Sequence, residues 1–458
     1  MKTLKLEPGY CMYNRWESFE TYPDYAGPPL REWQEKALMS WEANSNRGIV
    51  EAVTGTGKTM VGIAAIREVT SQGGYALVLV PTKALAEQWM ALIERYLPSL
   101  RAGRLGDGQK NDFRTSQVVV ANIQSVRSPM PSKSLTLVVA DEVHRYGAQM
   151  WAKALDDRYT QRLGLTGTYE RQSDDGVMEV LTPYFSGKVF SYRYPEALQD
   201  SVVAPFALAF VGVDFTVREQ ETYQEAQELA DRARDKLVYE FGYDREWLDF
   251  FSRVNQTLRG NYDDALETRL CQRYMKGWSA RRQITANAVG KIKLVERVSR
   301  ALPQRSGTLV FSSTVDSVFK LAHVISKYAT VVALHGGSTN EERQLALNNF
   351  RDGKLDVICA PQILNEGIDV PDAEVAIIIG ASQNRREMIQ RMGRVVRLKD
   401  SNRCARILIT YVRGTPEDPA TGGHEAFLSE VKDHAADTSH FSGDDPLAVA
   451  EWFARDFD

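Results

Sequence analysis

Short apolar runs of strand length recur along this chain with amphipathic helical stretches between them, and that alternation restricts the fold more than any other feature. Gly48-Ile-Val-Glu-Ala-Val53 reads as a strand and Lys58 to Val69 as a helix. Tyr75-Ala-Leu-Val-Leu-Val80 and Lys83 to Tyr96 repeat the pair. Gln117-Val-Val-Val-Ala-Asn122 and Leu135-Thr-Leu-Val-Val-Ala140 are further strands. The pattern returns at Thr308–Phe311, Thr330–Leu334, Asp356–Cys359, Val375–Ile379 and Ala405–Thr410, with helical stretches at Val315–Lys327 and Asn340–Phe350. Runs that are apolar throughout suit strands covered on both faces, as in a parallel sheet flanked by helices. The expected fold class is α/β, with two parallel-sheet domains.

Residues 214–285 separate the two sets of strands. They are polar, helical in character and rich in arginine from Arg218 to Arg282, and read as a helical insertion. The expected order is an arm over 1–29, a first α/β domain over 30–213, the insertion over 214–285, a second α/β domain over 286–415 and a tail over 416–458. In the arm, Tyr10, Tyr13, Trp16, Phe19, Tyr22 and Tyr25 recur every third residue among prolines. That period fits neither a long helix nor a strand, and prolines favour extended segments and turns. The arm is expected to lie on the first domain with its rings buried. A competing reading has one ring stack on a ligand. The tail carries eleven acids against Lys432 and Arg455, a net of −9, which leaves +5 on residues 1–415. A mildly basic body is compatible with a nucleic-acid partner.

Hydrophobic residues at 43% and charged residues at 25% exclude collagen-like, coiled-coil and wholly disordered classes. No apolar run approaches the roughly 20 residues of a membrane span, and Met1–Glu7 lacks the apolar core of a signal peptide. Cys11, Cys271, Cys359 and Cys404 form no C-x-x-C pair, which disfavours a disulfide scaffold, a zinc module and an iron–sulfur cluster. A reducing, cytoplasmic setting is expected, without membrane partners.

Two motifs carry chemistry. Thr54, Gly55, Thr56, Gly57, Lys58 and Thr59 follow a strand and open a helix. Glycines let backbone N–H groups face phosphate oxygens, and the helix N-terminus adds partial positive charge. Lys58 suits the β/γ-phosphates and Thr59 a Mg²⁺ ion. The usual first glycine of such a loop is Ala52 here. Leu137-Val-Val-Ala-Asp-Glu-Val-His144 then sets two acids at a strand end. Asp141 is the candidate metal ligand and Glu142 the group that orients and deprotonates an attacking water, the combination phosphoryl transfer needs. In Gln390-Arg-Met-Gly-Arg-Val-Val-Arg397, Arg394 and Arg397 are three apart on a predicted helix and share a face. Their guanidinium groups suit charge developing on a transferred phosphate.

In number, order and spacing these motifs resemble superfamily 2 helicases, and the Asp-Glu-Val-His box with the inserted helices resembles the XPB family. The resemblance covers about 30–413. It implies two RecA-like parallel-sheet motor domains with a helical thumb-like insertion, ATP and Mg²⁺ as cofactors, and DNA as partner through sequence-independent backbone contacts. It implies that Arg31 and Gln34 of Leu30-Arg-Glu-Trp-Gln34 contact adenine. Val80-Pro-Thr-Lys-Ala-Leu-Ala-Glu-Gln-Trp89 resembles motif Ia, implying strand contacts from Pro81, Thr82 and Lys83. Ala121–Ser125 takes the place of another contact, through Gln124 and Ser125. Leu163–Thr168 resembles motif III, which couples nucleotide state to DNA grip. Leu364–Pro371 resembles motif V, implying that Gly367 and Asp369 sit at the nucleotide edge, with Gln390 beside them from the arginine run. The stretch Tyr169–Gly176 stands where the family carries an Arg-Glu-Asp element, but lacks the middle Glu.

The resemblance implies an ATP-dependent 3'→5' DNA helicase or translocase, with one ATP site drawn from both motor domains. In the insertion, residues 253–282 carry seven bases against three acids. Trp278 there is a candidate DNA contact, with Tyr274 four residues before it; packing of a small core by these rings is the alternative. Two further readings stay open: a duplex translocase or remodelling subunit that does not separate strands, and the motor of a repair or defence nuclease complex.

Overall fold

The structure, a computed structural model, describes residues 16, 19–22, 24–123, 135–169, 176–260, 265–302, 307–361, 373–380, 404–423 and 431–457. The chain divides into two compact units. The first runs to Tyr192 and the second from Arg193, with the turn Val53–Thr56 grouping with the second.

The first unit is built on an eight-stranded sheet. Its strands are β1 (Arg47–Ala52), β2 (Tyr75–Val80), β3 (Ala102–Gly106), β4 (Gln109–Lys110), β5 (Val118–Asn122), β6 (Thr136–Asp141), β7 (Gln161–Thr166) and β8 (Lys188–Tyr192). Their order is β4-β3-β5-β2-β6-β7-β1-β8, parallel except for the β3–β4 hairpin. Every residue of β5 and β6 is buried, as runs covered on both faces should be. Three main helices pack on it: α1 (Glu32–Ala43), α2 (Lys58–Ser71) and α3 (Lys83–Tyr96). In α1, Trp33, Ala37, Leu38 and Trp41 form the buried face. The Trp33 ring stacks on Tyr192 at 4.7 Å, and the Trp41 indole donates to the Arg162 carbonyl at 3.0 Å. Gly62 lets α2 approach α3: a Cβ there would come within 2.5 Å of the Trp89 ring.

The second unit holds a seven-stranded parallel sheet of β9 (Phe206–Val213), β10 (Thr308–Ser312), β11 (Val331–Ala333), β12 (Val357–Pro361), β13 (Val375–Ile378), β14 (Ala405–Val412) and β15 (Asp437–Ser442), in the order β11-β12-β10-β13-β14-β9-β15. The two sheets, parallel but for the β3–β4 hairpin, with their flanking helices form two RecA-like α/β domains.

Two sequence expectations differ from these strands. The pattern ends the first domain at residue 213, yet residues 206–213 form β9, in parallel register with β14 on one side and β15 on the other. All eight residues of β9 are buried. A strand covered on both faces carries no mark of which sheet it enters. The C-terminal segment, read as a weakly patterned acidic tail, supplies β15 and the helix Pro446–Ala454. Val449, Trp452 and Phe453 of that helix are buried, and the Trp452 indole donates to Asp437 Oδ2 at 2.8 Å.

The insertion consists of three helices running 217–241, 247–259 and 265–286. Thr216 caps the first through the Glu219 N–H, and the Glu219 carboxylate accepts from the Thr216 N–H in return. Leu237, Phe250, Val254, Leu270 and Tyr274 form a separate small core. Gly277 permits close packing of the first and third helices, since a Cβ there would lie 2.6 Å from the Ala226 carbonyl. Among the described residues no helix is long and apolar enough to cross a membrane.

Candidate functional site

In the first sheet β7 lies between β6 and β1. Adjacent parallel strands sit about 4.8 Å apart, so the carboxyl ends of β6, β7 and β1 form one short row. The Asp-Glu pair leaves the first, Thr166 ends the second, and the glycine loop leaves the third. Open α/β sheets place ligands at such carboxyl edges.

The loop needs its glycines. Gly55 and Gly57 have φ of 93° and 91°, in the left-handed region where a side chain is strained. The Thr56 side chain turns inward, donating to the Val53 carbonyl at 2.8 Å. Lys58 opens α2, and its ammonium donates to the Ala52 carbonyl at 2.8 Å, which holds the charge at the end of β1. Thr59 follows, half-buried, in the first helical turn, and Thr54 is half-buried in the loop.

Gln34 reaches this loop from α1. Its Oε1 accepts from the Arg31 N–H at 2.8 Å, and its Nε2 donates to the Gly57 carbonyl at 3.0 Å. A side-chain amide has two N–H donors and two acceptor lone pairs; these contacts use one of each. Arg31 sits exposed at the start of the helix.

Asp141 ends β6 and is buried. Its Oδ2 accepts from the Trp89 indole at 2.8 Å and its Oδ1 from the Glu142 N–H at 2.9 Å. Burial first, and the Glu142 charge second, push its carboxyl up to about 6, against the Trp89 indole, the Lys58 charge and the Glu142 N–H. Glu142 adopts φ 50°, ψ 48°. A left-handed non-glycine residue costs about 1–3 kcal/mol and is typical of functional turns. Its Oε2 is buried without a hydrogen-bond partner among the described residues. His144 Nδ1 approaches it to 3.4 Å but bonds at 2.9 Å to the Thr166 hydroxyl. That hydroxyl donates its single hydrogen to the Thr168 carbonyl at 2.7 Å and accepts the Thr168 N–H at 3.2 Å. His144 must therefore carry its proton on Nδ1 and act as donor. The ends of β6 and β7 are linked by this arrangement, and the sequence alone did not show it.

The candidate nucleic-acid contacts are less uniform. Pro81 is buried, Thr82 spends its hydroxyl capping α3 through the Leu85 N–H at 3.3 Å, and Lys83 is exposed. In the insertion Tyr274 belongs to the local core, edge-on to Phe250 at 4.8 Å. Trp278 is half-buried against Phe251, with the Arg282 guanidinium 5.6 Å from its ring. Arg269, Arg273 and Lys276 lie exposed at helical spacing on the last helix of the insertion. Gln124, Ser125, Gly367, Asp369, Gln390, Arg394, Arg397 and most of the Tyr169–Gly176 stretch lie outside the described residues.

The arm is tied down by a contact the sequence did not reveal. Arg67 of α2 donates through Nε at 3.0 Å and Nη2 at 2.7 Å to Asp24 Oδ1, and its guanidinium lies 3.6 Å from the Tyr22 ring centre. Phe19 is fully buried and Trp16 is 2% exposed, its indole donating to Glu42 at 3.2 Å.

Comparison with known proteins agrees with this architecture. The family described as type III restriction enzyme, res subunit, matches residues 28–171, and the helicase conserved C-terminal domain matches 290–399. The DNA 3'-5' translocase XPB2 of Sulfurisphaera tokodaii is 29% identical over 398 residues, covering 85% of this chain and 82% of that protein. The DNA 3'-5' helicase XPB of Kineococcus radiotolerans is 27% identical over 418 residues, covering 88% of this chain and 63% of that protein. Dbp5 of S. cerevisiae, solved with RNA and ADP BeF3, superposes with a TM-score of 0.59 at 14% identity over 92% of both chains, a likeness of fold. The chain thus carries a superfamily 2 helicase-like fold homologous to helicases of the XPB and restriction-enzyme types, and it is an ATP-hydrolysing enzyme of the kind that works on nucleic acid.

Proposed function

We propose that this chain is a DNA-dependent ATPase of the XPB type that moves 3'→5' along DNA and uses ATP to translocate on or separate strands. The observation that carries the reading is the row at the carboxyl ends of β6, β7 and β1, with Lys58, Asp141, Glu142 and the His144–Thr166 link along it. The direction and the preference for DNA rest on the names of the two relatives. The chain spans 82% of one and 63% of the other, so their whole-protein activities come to it as proposals.

In this reading the loop amides and Lys58 hold the phosphates, and Gln34, with Arg31 beside it, reads adenine with its remaining donor and acceptor. Thr59 and Asp141 hold Mg²⁺, which neutralises phosphate charge when bound. The residues fit such an ion: a hydroxyl and a carboxylate are oxygen donors, and Mg²⁺ in nucleotide sites takes few protein ligands beside phosphate and water. The buried Glu142 Oε2, without a hydrogen-bond partner among the described residues, suits a water to be oriented and deprotonated. Gly367, Asp369, Gln390, Arg394 and Arg397 complete the nucleotide chemistry, and Lys83, Gln124, Ser125 and Trp278 contribute to DNA grip together with Arg269, Arg273 and Lys276.

Stimulation of ATP turnover by single-stranded DNA, duplex DNA and RNA tests the partner, and displacement of streptavidin from either strand end tests direction. The reading predicts stimulation by DNA and displacement from the 3'→5' direction only. Stronger stimulation by RNA would overturn it. A second reading is favoured by the restriction-subunit match over 28–171: a translocating motor that serves a nuclease, repair or defence partner without separating strands. It predicts streptavidin displacement on duplex DNA with no unwinding of a forked duplex.

A further inference from the structure

The second unit carries an open groove of about 490 Å³ between the helices 289–298 and 315–325. Its walls include Val289, Ile292, Phe319 and Val324, with Lys293, Lys320 and His323 at the rim. Phe319 is 49% exposed and Val289 39%. Single apolar side chains on a surface need no explanation. Here four of them line one trough between two helices, the concave form in which ligand side chains are taken up.

Three acids stand near the trough, each with a partner: Asp316 with Lys320 at 2.6 Å, Glu296 with Lys327 at 2.6 Å, and Glu219, which accepts from the Val289 N–H at 2.8 Å and from the Thr216 hydroxyl at 2.8 Å. Lys293 at the rim is exposed and makes no ion pair among the described residues, and Arg297, also exposed, follows one turn further along the same helix. The apolar wall is thus flanked on the 289–298 side by positive charge that no ion pair offsets. Ten helical residues span about 15 Å, enough to lie along the i, i+3/i+4, i+7 anchors of a docked helix, which cover about 10 Å. A nucleic-acid backbone would meet charge here but would leave the apolar floor in contact with water or phosphate.

We propose that this groove docks an amphipathic helix of a partner protein, its apolar side chains on Phe319 and Val289 and its acidic face toward Lys293 and Arg297. The groove continues into a second, more polar hollow of about 420 Å³ that shares Asn287, Val289 and Lys320 with it and reaches Thr216 and Gln283 at the root of the insertion. There the Val289 N–H donates to Glu219 of the insertion at 2.8 Å. A docked helix therefore touches the residues from which the insertion springs.

The test uses the full chain without nucleotide or nucleic acid, so its outcome is independent of the ATPase reading. The probe is a fluorescein-labelled synthetic helical peptide of about four turns, with Leu and Phe on one face and Glu on the other, beside a twin with Lys for Glu. The acidic peptide is expected to bind saturably and the basic twin at least about tenfold more weakly. Phe319→Glu and Lys293→Glu should each weaken the acidic peptide about tenfold or more, while Lys110→Glu in the first unit leaves it unchanged. The altered side chains are exposed, and unchanged melting temperatures establish that the variants fold. Equal binding of the two peptides, binding by neither, or indifference to Phe319→Glu would overturn the proposal. A short duplex that binds with dependence on Phe319 would reassign the groove to nucleic acid and overturn it as well.

Discussion

Lys58 and Glu142 stand on one row of strand ends, and the proposed mechanism gives them different partners, so their variants should separate. The Lys58 ammonium, held on the Ala52 carbonyl, is proposed to meet ground-state phosphate. Lys58→Ala should therefore weaken binding of a fluorescent ATP analogue and abolish turnover. Glu142→Gln should abolish turnover with binding largely intact if, as proposed, the carboxylate serves the water and not the nucleotide. Equal loss of binding in both would show the roles misassigned. Thr166 supports a sharper prediction. Its hydroxyl gives one hydrogen and accepts two, and Thr166→Val removes the acceptor that the His144 and Thr168 N–H groups share, a loss of about 1–3 kcal/mol for a buried donor. The melting temperature should fall, and nucleic-acid stimulation of turnover should fall with nucleotide affinity little changed. Thr166→Ser keeps the hydroxyl and should restore both; failure of that rescue would leave the link without a role in coupling.

The arm decides between its two readings through Trp16. The ring is 2% exposed and its indole is bonded to Glu42, so neither face is open for an adenine. Trp16→Ala should cost about 3–5 kcal/mol, lowering the melting temperature without nucleotide while the Michaelis constant for ATP stays put. A several-fold rise in that constant at unchanged melting temperature would restore the stacking reading. The same element shows what sequence can carry. The period of three ruled out a long helix or strand and left buried rings as the expectation, which Trp16, Phe19 and Tyr25 meet while Tyr22 is half-buried and Tyr10 and Tyr13 lie outside the described residues; it gave no sign that Arg67, more than forty residues on, clamps Asp24 and Tyr22. Strand-loop-helix order was legible at Thr54–Thr59 and at Asp141–Glu142 because each motif is local. The contacts that finish the site were not: Trp89 to Asp141, Gln34 to Gly57 and His144 to Thr166 join residues distant in sequence, and no periodicity encodes them. The placement of β9 was illegible for another reason. Phe206–Val213 is apolar on both faces and would suit either sheet. The strand Asp437–Ser442 was missed because an edge strand with polar residues has little of the pattern that marks a central one.

At the scale of the whole chain, the assignment of Arg394 and Arg397 rests on sequence. Two guanidinium groups three residues apart on a helix share a face, and a forked donor suits a phosphate whose charge spreads in transfer. An arginine acting there contributes roughly 10³–10⁵ in rate, or about 4–7 kcal/mol at 1.36 kcal/mol for each tenfold. Arg394→Ala should therefore reduce DNA-stimulated turnover by orders of magnitude. ADP has no γ-phosphate, so its affinity should barely change, and that measurement also reports whether the variant is folded. Arg394→Lys keeps the charge but not the fork, and should fall between the two. A parallel loss of ADP binding and melting temperature would point to a structural role. Near-normal turnover in Arg394→Ala, with ADP binding intact, would remove Arg394 from the chemistry and shift the γ-phosphate charge onto Arg397, Lys58 and the loop amides.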